Sequence, residues 1–271
     1  RLALELDRAK VLDYSLIKTY TRMPVTREAR TIRAAHRLGL PVSSHEIYPA
    51  FALGGDRVEH LRGTSRLGWS AKQSDGLRMY NDVVQIVGAS GATIVPTLVV
   101  GGGFLDLLLR YPELDALPQY GAFYSEPDRR ALRALAGLAS RKRTLLDAGL
   151  ANSRQAVRDL AAAGARVIAG TDAPIFPYGL SLLAELRALR DAGLPGDAVL
   201  RAATSDAAAA IGAGDQLGRI APGMLADLLI VAGDPLADPL ELTRLEMVLI
   251  NGVPGPRATL PALASARLQA P

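Results

Sequence analysis

The sequence contains no cysteine. Disulfides and thiolate metal ligands are therefore excluded, and the absence fits the cytoplasm and an exported compartment equally well. No apolar run reaches the roughly 18 residues that a membrane span needs. There is no signal peptide. The chain opens on Arg1, already inside a helical pattern, so the expectation is a fragment or a processed piece. Charge is near the globular average at 21% of residues, and no strong excess of one sign is present: the net of +4 is spread along the chain. The densest basic cluster, Arg141-Lys142-Arg143, lies on a helix-like stretch beside Asp147. It reads as a solvated helix face rather than a nucleic-acid surface. Gly101-Gly102-Gly103 lacks the lysine and spacing of a phosphate-binding loop and the fingerprint of a dinucleotide fold. It reads as a flexible turn, which sets aside a nucleotide or phosphate enzyme. No internal repeat is present.

What is there is a core. Apolar residues make up 49% of 271, enough for one large α/β domain or two modest ones. Helical spacing covers Arg1 to Val11, with Leu2, Leu6 and Ala9 on one side. Ser15 to Tyr20 reads as a strand carrying Lys18. Thr26 is placed to cap a helix from Arg27 to Leu38, and Gly39 to end it. Pro41 to His45 and Arg57 to His60 read as strands, each ending in histidine. A helix follows over Asp75 to Ser90, then a strand over Ala92 to Leu98. Phe104 to Pro127 reads as a long loop with short helical pieces. Helices are expected over Asp128 to Ala148, Ser153 to Ala163, Leu180 to Ala192 and Gly196 to Ala210. Between them, the run from Val167 ends in Gly170-Thr171-Asp172 and reads as a buried strand with a terminal aspartate.

This alternation implies a parallel sheet flanked by helices. Five strand–helix units fit an open sheet or part of an eight-stranded barrel. After residue 215 the texture changes. Residues 216–231 read as two short strands around Pro222-Gly223, and Met247 to Gly252 as a further strand and tight turn. The expected division is residues 1–215 as the barrel part, 216–254 as a small β unit, and 255–271 as a Pro- and Ala-rich tail that frays.

Lys18, His45, His60 and Asp172 each end a separate strand. In parallel α/β sheets and barrels those ends converge on the face where active sites lie. Two imidazoles and a carboxylate suit zinc or a similar divalent ion. Lys18 joins such a set only with a lowered pKa or after reacting with carbon dioxide to give an anionic carbamate. Taken singly, each residue has a structural explanation: backbone-bonded histidines, a solvated lysine, a capping aspartate. The set of four, one per strand, favours a site. His36, the third histidine, lies mid-helix and reads as structural.

Six stretches carry a resemblance. They are Ile17-Lys18-Thr19-Tyr20, Ser43-Ser44-His45-Glu46, Val58-Glu59-His60-Leu61, residues 169–174 (Ala-Gly-Thr-Asp-Ala-Pro), residues 202–209, similar to "AAT-x-N-A-A", and residues 217–228, similar to "G-x-I-x-x-G-x-x-A-D". In this order the chain resembles the amidohydrolase superfamily over nearly its whole length. The closest likeness is to the imidazolonepropionase- and prolidase-like branch, including versions fused behind a TolB-like propeller.

The resemblance implies strands four to eight of a (β/α)8 barrel plus a small C-terminal β unit. It also implies metal-dependent hydrolysis of C–N bonds in an amide, cyclic amide or dipeptide. Lys18 matches the carbamylated bridging lysine. His45 and His60 match metal-binding histidines. Asp172 matches a metal ligand that also shuttles the proton. One or two divalent ions, zinc first, and carbon dioxide for the carbamate are the implied cofactors. Tyr20, Tyr48 and Arg62 lie just beyond the ligand strands and are candidates for touching a small-molecule substrate. A propeller in the parent chain and a homo-oligomer are the remaining partner expectations.

Two departures stand out. The family's first-strand His-x-His pair is missing, and Leu183 stands where histidine often precedes Glu185. A neutral helix-face difference is the favoured reading of Leu183, with a lost substrate contact as the alternative. The missing pair sets up the competing function: a catalytically incomplete piece, or a non-catalytic remnant, that needs the other half of the barrel.

Overall fold

The computed structural model describes residues 1–21, 23–47, 49–61, 79–117 and 125–256. Five short parallel strands form one sheet in sequential order: β1 (Ile17–Thr19), β2 (Val42–Ser44), β3 (Arg57–Glu59), β4 (Thr93–Val95) and β5 (Arg166–Val167). Sequential order with every neighbour parallel requires each crossover to run over one face, which curls the sheet into part of a barrel wall. A second sheet is antiparallel: β6 (Leu228–Val231), β7 (Leu245–Ile250) and β8 (Val253–Pro256).

The outer layer begins with α1 (Leu2–Val11) and α2 (Val25–Arg37), which sandwich a small core of Leu6, Ala9, Ile32, Ala35 and Val42. Of the face expected on α1, Leu6 and Ala9 are buried and Leu2 is exposed. The second helix starts ahead of Thr26. Pro24 is its N-cap residue, and the Pro24 carbonyl accepts from the Arg27 and Glu28 amides at 2.8 and 2.9 Å. Gly39 takes the expected left-handed conformation, φ 74°. Buried Glu28 ties this helix to the sheet by accepting from the hydroxyls of Thr19 (3.0 Å) and Ser44 (2.9 Å).

The main core lies between the sheet and α3 (Asn81–Ala89), α6 (Arg143–Ala162), α7 (Leu180–Asp191) and α8 (Gly196–Ala202). The start expected for α3, Asp75 with Leu77, lies outside the described residues. A second core joins α4 (Phe104–Arg110) to Leu180, Leu183 and Ala184 of α7, with Phe104 stacked on Phe176 ahead of that helix. Gly101-Gly102-Gly103 is not a flexible turn. It forms a wide helical turn leading into α4, with Gly102 at φ 115° and Gly103 pressed against the Leu98 carbonyl.

Helix α5 (Glu126–Arg141) opens on a capping box in which Ser125 and Asp128 bond reciprocally. The break between α5 and α6 falls at Lys142 rather than at residues 149–152. Leu150 and Ser153 are buried there, and Ser153 returns its hydroxyl to the Gly149 carbonyl, so packing carries the helix through Gly149. Arg143, part of the basic cluster, pairs with buried Asp106, which also binds Arg110 and Arg154.

The helix expected over 196–210 is divided into α8 and α9 (Ser205–Ala210), because Thr204 leaves helical geometry and donates to the Leu200 carbonyl. In the C-terminal region, residues 216–221 form no strand. Gly218 packs instead against Thr204 and Ser205, so the two C-terminal motifs of the sequence touch each other. Gly255 is not frayed but paired with Val248 in the second sheet.

Candidate active site

The two faces of the parallel sheet are told apart by hydroxyls. Thr19 and Ser44 point outward to Glu28 on α2. Side chains alternate along a strand, so Lys18 and Ser43, which are register partners, face inward. Ser43 donates to Glu59 at 2.5 Å on that inner face.

Above this level the C-terminal strand ends bring Tyr20, His45, His60 and Asp172 together. The Tyr20 ring meets His45 edge-on at 4.8 Å, and the His45 and His60 rings are 4.6 Å apart. His60 Nε2 lies 3.7 Å from Asp172 Oδ2, longer than a hydrogen bond. On its other side, His60 Nδ1 is 2.8 Å from the Thr97 hydroxyl, which donates to the Pro96 carbonyl at 2.8 Å.

Lys18 is on the same inner face but exposed, and among the described residues it makes no ion pair or hydrogen bond. Tyr48 and Arg62 lie outside the described residues. His36 is in a surface pair with Asp56 at 2.8 Å, remote in role from the cluster. Leu183 is buried in the core with Phe104 and Leu180, which accounts for it by packing.

The backbone is unusual where the cluster forms. His60, Thr97 and Asp172 have φ of 65°, 48° and 51°, the first two just past their strands and the third on the turn that follows β5. Left-handed geometry is uncommon outside glycine and is an outlier for a β-branched residue such as Thr97. Residues held this way cost about 1–3 kcal/mol and gather at functional sites. Asp172 departs from expectation in a second respect. The ladder ends soon after Val167, and the Ala169 amide turns away to the Ala202 carbonyl. The aspartate therefore stands on a turn with its side chain 37% exposed, not at the end of a buried strand.

Two contributors escaped the sequence reading. Thr97 was visible only as a strand residue. Glu185 was visible only as a landmark, although Ser181, Glu185 and Leu189 recur every fourth residue and so place its carboxyl on the buried stripe of α7. Glu185 is fully buried. Burial pushes its carboxyl up to about 8, against the backbone amides of Val99, Leu98 and Thr97 that hold its charge. The Val99 amide donates at 2.8 Å.

Gly170 shows why the motif before Asp172 needs glycine. A Cβ there would stand 2.2 Å from Val95 Cγ1. Gly170→Ala is expected to destabilise the protein by about 1–3 kcal/mol, and Val95→Ala in the same chain to recover most of that loss. Urea unfolding of the two single variants and the double variant checks this; simple additivity of the two losses would refute the contact.

A parallel barrel wall with imidazoles and a carboxylate gathered at its C-terminal strand ends defines an α/β-barrel fold of the enzyme type. This chain belongs to the amidohydrolase family, whose model matches residues 31–254. The structure is similar to a Xaa-Pro dipeptidase with bound methionine (TM-score 0.63, 18% identity, covering 94% of this chain and 58% of that one). It is also similar to a prolidase complexed with N-methylphosphonate-L-proline (0.60, 20%, 94% and 58%). A bottromycin amidohydrolase gives a TM-score of 0.69 at 26% identity, over 98% of this chain and 61% of that one. The chain thus spans about three fifths of the length of these proteins. No curated protein matches it.

Proposed function

We propose that this chain contributes to a metal-dependent hydrolase of C–N bonds, acting on an amide, cyclic amide or dipeptide. His45, His60 and Asp172 would hold a divalent ion, zinc by preference, with Lys18 adding a carbamate after reaction with carbon dioxide. Strands β1–β5 stand for the fourth to eighth of the barrel, residues 1–215 for its share of the barrel part, and 216–254 for the small β unit.

The observation that carries this reading is the 3.7 Å between His60 Nε2 and Asp172 Oδ2, beside the His45 ring. Two donors about 2.1 Å from one tetrahedral ion lie about 3.4 Å apart, so this pair is close to spanning a cation. The donor types suit a borderline divalent ion. Among the described residues, however, no group of three His, Asp or Glu side chains is drawn in tightly enough to enclose one.

Bound at this point, the ion would supply an acidified water and a polarised carbonyl. The protein's own part is proton transfer. As the water oxygen bonds to the carbonyl carbon, the Asp172 carboxylate takes the water's proton on its other oxygen, Oδ1. It then passes that proton to the nitrogen as the C–N bond breaks. The exposure of Asp172 leaves it open to substrate. Tyr20, also exposed and edge-on to His45, is the described candidate for touching the substrate; Tyr48 and Arg62 are proposed on sequence position alone.

A second reading follows from the unclosed ligand set together with the absence of a His-x-His pair among the sequence's three histidines. This chain by itself would then hold one ion at most and hydrolyse little. Zinc titration against a chromophoric chelator, run on residues 1–271 alone and on the full-length protein, separates the two readings. The first expects zinc to bind the full-length protein, with affinity weakened about tenfold or more by His45→Ala or His60→Ala. It also expects hydrolysis of Xaa-Pro dipeptides or N-acyl amides. Zinc binding indifferent to both histidines would refute it.

A further inference from the structure

Thr97 and Glu185 have no place in the proton transfer, yet they stand directly behind it. A hydroxyl has one proton to donate. The Thr97 proton is directed at the Pro96 carbonyl, 2.8 Å away, and Pro96 has a second lone pair for the Leu61 amide at 3.0 Å. The Thr97 oxygen is then an acceptor toward His60 Nδ1 at 2.8 Å. That requires the His60 ring proton to sit on Nδ1, and it presents Nε2 to Asp172 as a lone pair.

Thr97 reaches this position only in a left-handed conformation, φ 48°, which a β-branched residue does not adopt unaided. What holds the turn that carries it is the carboxyl of Glu185, fully buried on α7, which accepts from the amide of Val99 two residues further on at 2.8 Å. A line of contacts therefore runs from a helix on the outside of the sheet to the imidazole at its mouth.

We propose that Thr97, held in place by Glu185, is a positioning residue that fixes the ring tautomer and orientation of His60. The role in metal binding rests on the function proposed above, but the tautomer itself does not. Neither residue is a catalytic residue, since neither reaches the reacting atoms.

The test has two arms on the full-length protein. The first is 15N NMR of the metal-free protein labelled at histidine, with His60 assigned by its loss in His60→Gln. The wild type is expected to carry the proton on Nδ1. Thr97→Ser should keep that state, and Thr97→Val, which has the same shape without the hydroxyl, should mix the two tautomers. The second arm is zinc affinity by chelator competition. Thr97→Val should weaken binding about tenfold to a hundredfold, and Thr97→Ser by less than about threefold. A wild-type proton on Nε2, or a Thr97→Val variant unchanged in both readouts, overturns the proposal. If the wild type binds no zinc, the metal reading fails and the tautomer arm alone decides the role of Thr97. Because the wild-type spectrum is decisive on its own, a variant that fails to fold does not rescue the idea.

Discussion

Asp172→Asn, made in the full-length protein, is expected to lower kcat/KM for amide hydrolysis by about a thousandfold. Asparagine keeps the shape of the side chain and one acceptor oxygen but cannot take a proton from water. The side chain stands on an exposed turn, 3.7 Å from His60, and among the described residues no buried network collapses with the change. The loss should therefore fall on kcat, with KM altered only a few-fold. Steady-state kinetics with matched zinc content distinguish this from a purely structural aspartate. A loss of threefold or less, or a loss confined to KM, would remove Asp172 from the proton path.

The second large effect concerns stability. Glu185 titrates near its ordinary 4.5 in the unfolded chain and at about 8 in the folded one. The folded state thus holds the proton more tightly. Its contribution to stability is fully present below about pH 4.5 and is lost as pH rises through about 8. Three and a half pH units correspond to a loss of up to about 5 kcal/mol across that window. Glu185→Gln mimics the neutral acid, keeps an acceptor for the Val99 amide and has nothing to ionise. The variant should match the wild type near pH 4.5 and exceed it increasingly toward pH 8.5, by several kcal/mol. Urea midpoints of both proteins at a series of pH values measure the difference directly. Parallel pH curves would show that Glu185 is ionised in the folded state at neutral pH.

The cluster was legible because each member follows its own short strand-like run. His45 and His60 could be placed at strand ends without knowing the fold, and the parallel alternation then predicts their convergence; Asp172 joins them from a turn beyond Val167 instead of from the strand end expected of it. Lys18 was read the same way, and it does share the inner face, but residue order alone gives no measure of how far it stands from the histidines. Other features depended on partners distant in sequence. The helix running through Gly149 is kept by the burial of Leu150. The wide helical turn at Gly101-Gly102-Gly103 is set by contact with Leu98, Leu146 and Ala188. Residues 216–221 look like a strand in isolation, yet Gly218 is committed to the backbone of Thr204 and Ser205. Glu185 is the clearest case. A glutamate on a helix is unremarked in sequence until the Val99 amide that faces it is known.

The left-handed residues at the strand ends bear on how this protein could be altered. Period-two alternation should send neighbours to opposite faces, yet Glu59 and His60 both serve the inner side, Glu59 by alternation and His60 by the reversed twist at φ 65°. The kink packs chemical groups more densely than a regular strand permits, and it does so with backbone conformations the fold resists. Positions 60, 97 and 172 are therefore where selection for a sturdier protein and selection for an active one pull in opposite directions. Glycine or asparagine at Thr97 would relax the chain and release the imidazole together. A search for stabilised variants would meet its cheapest gains at the sites least free to accept them.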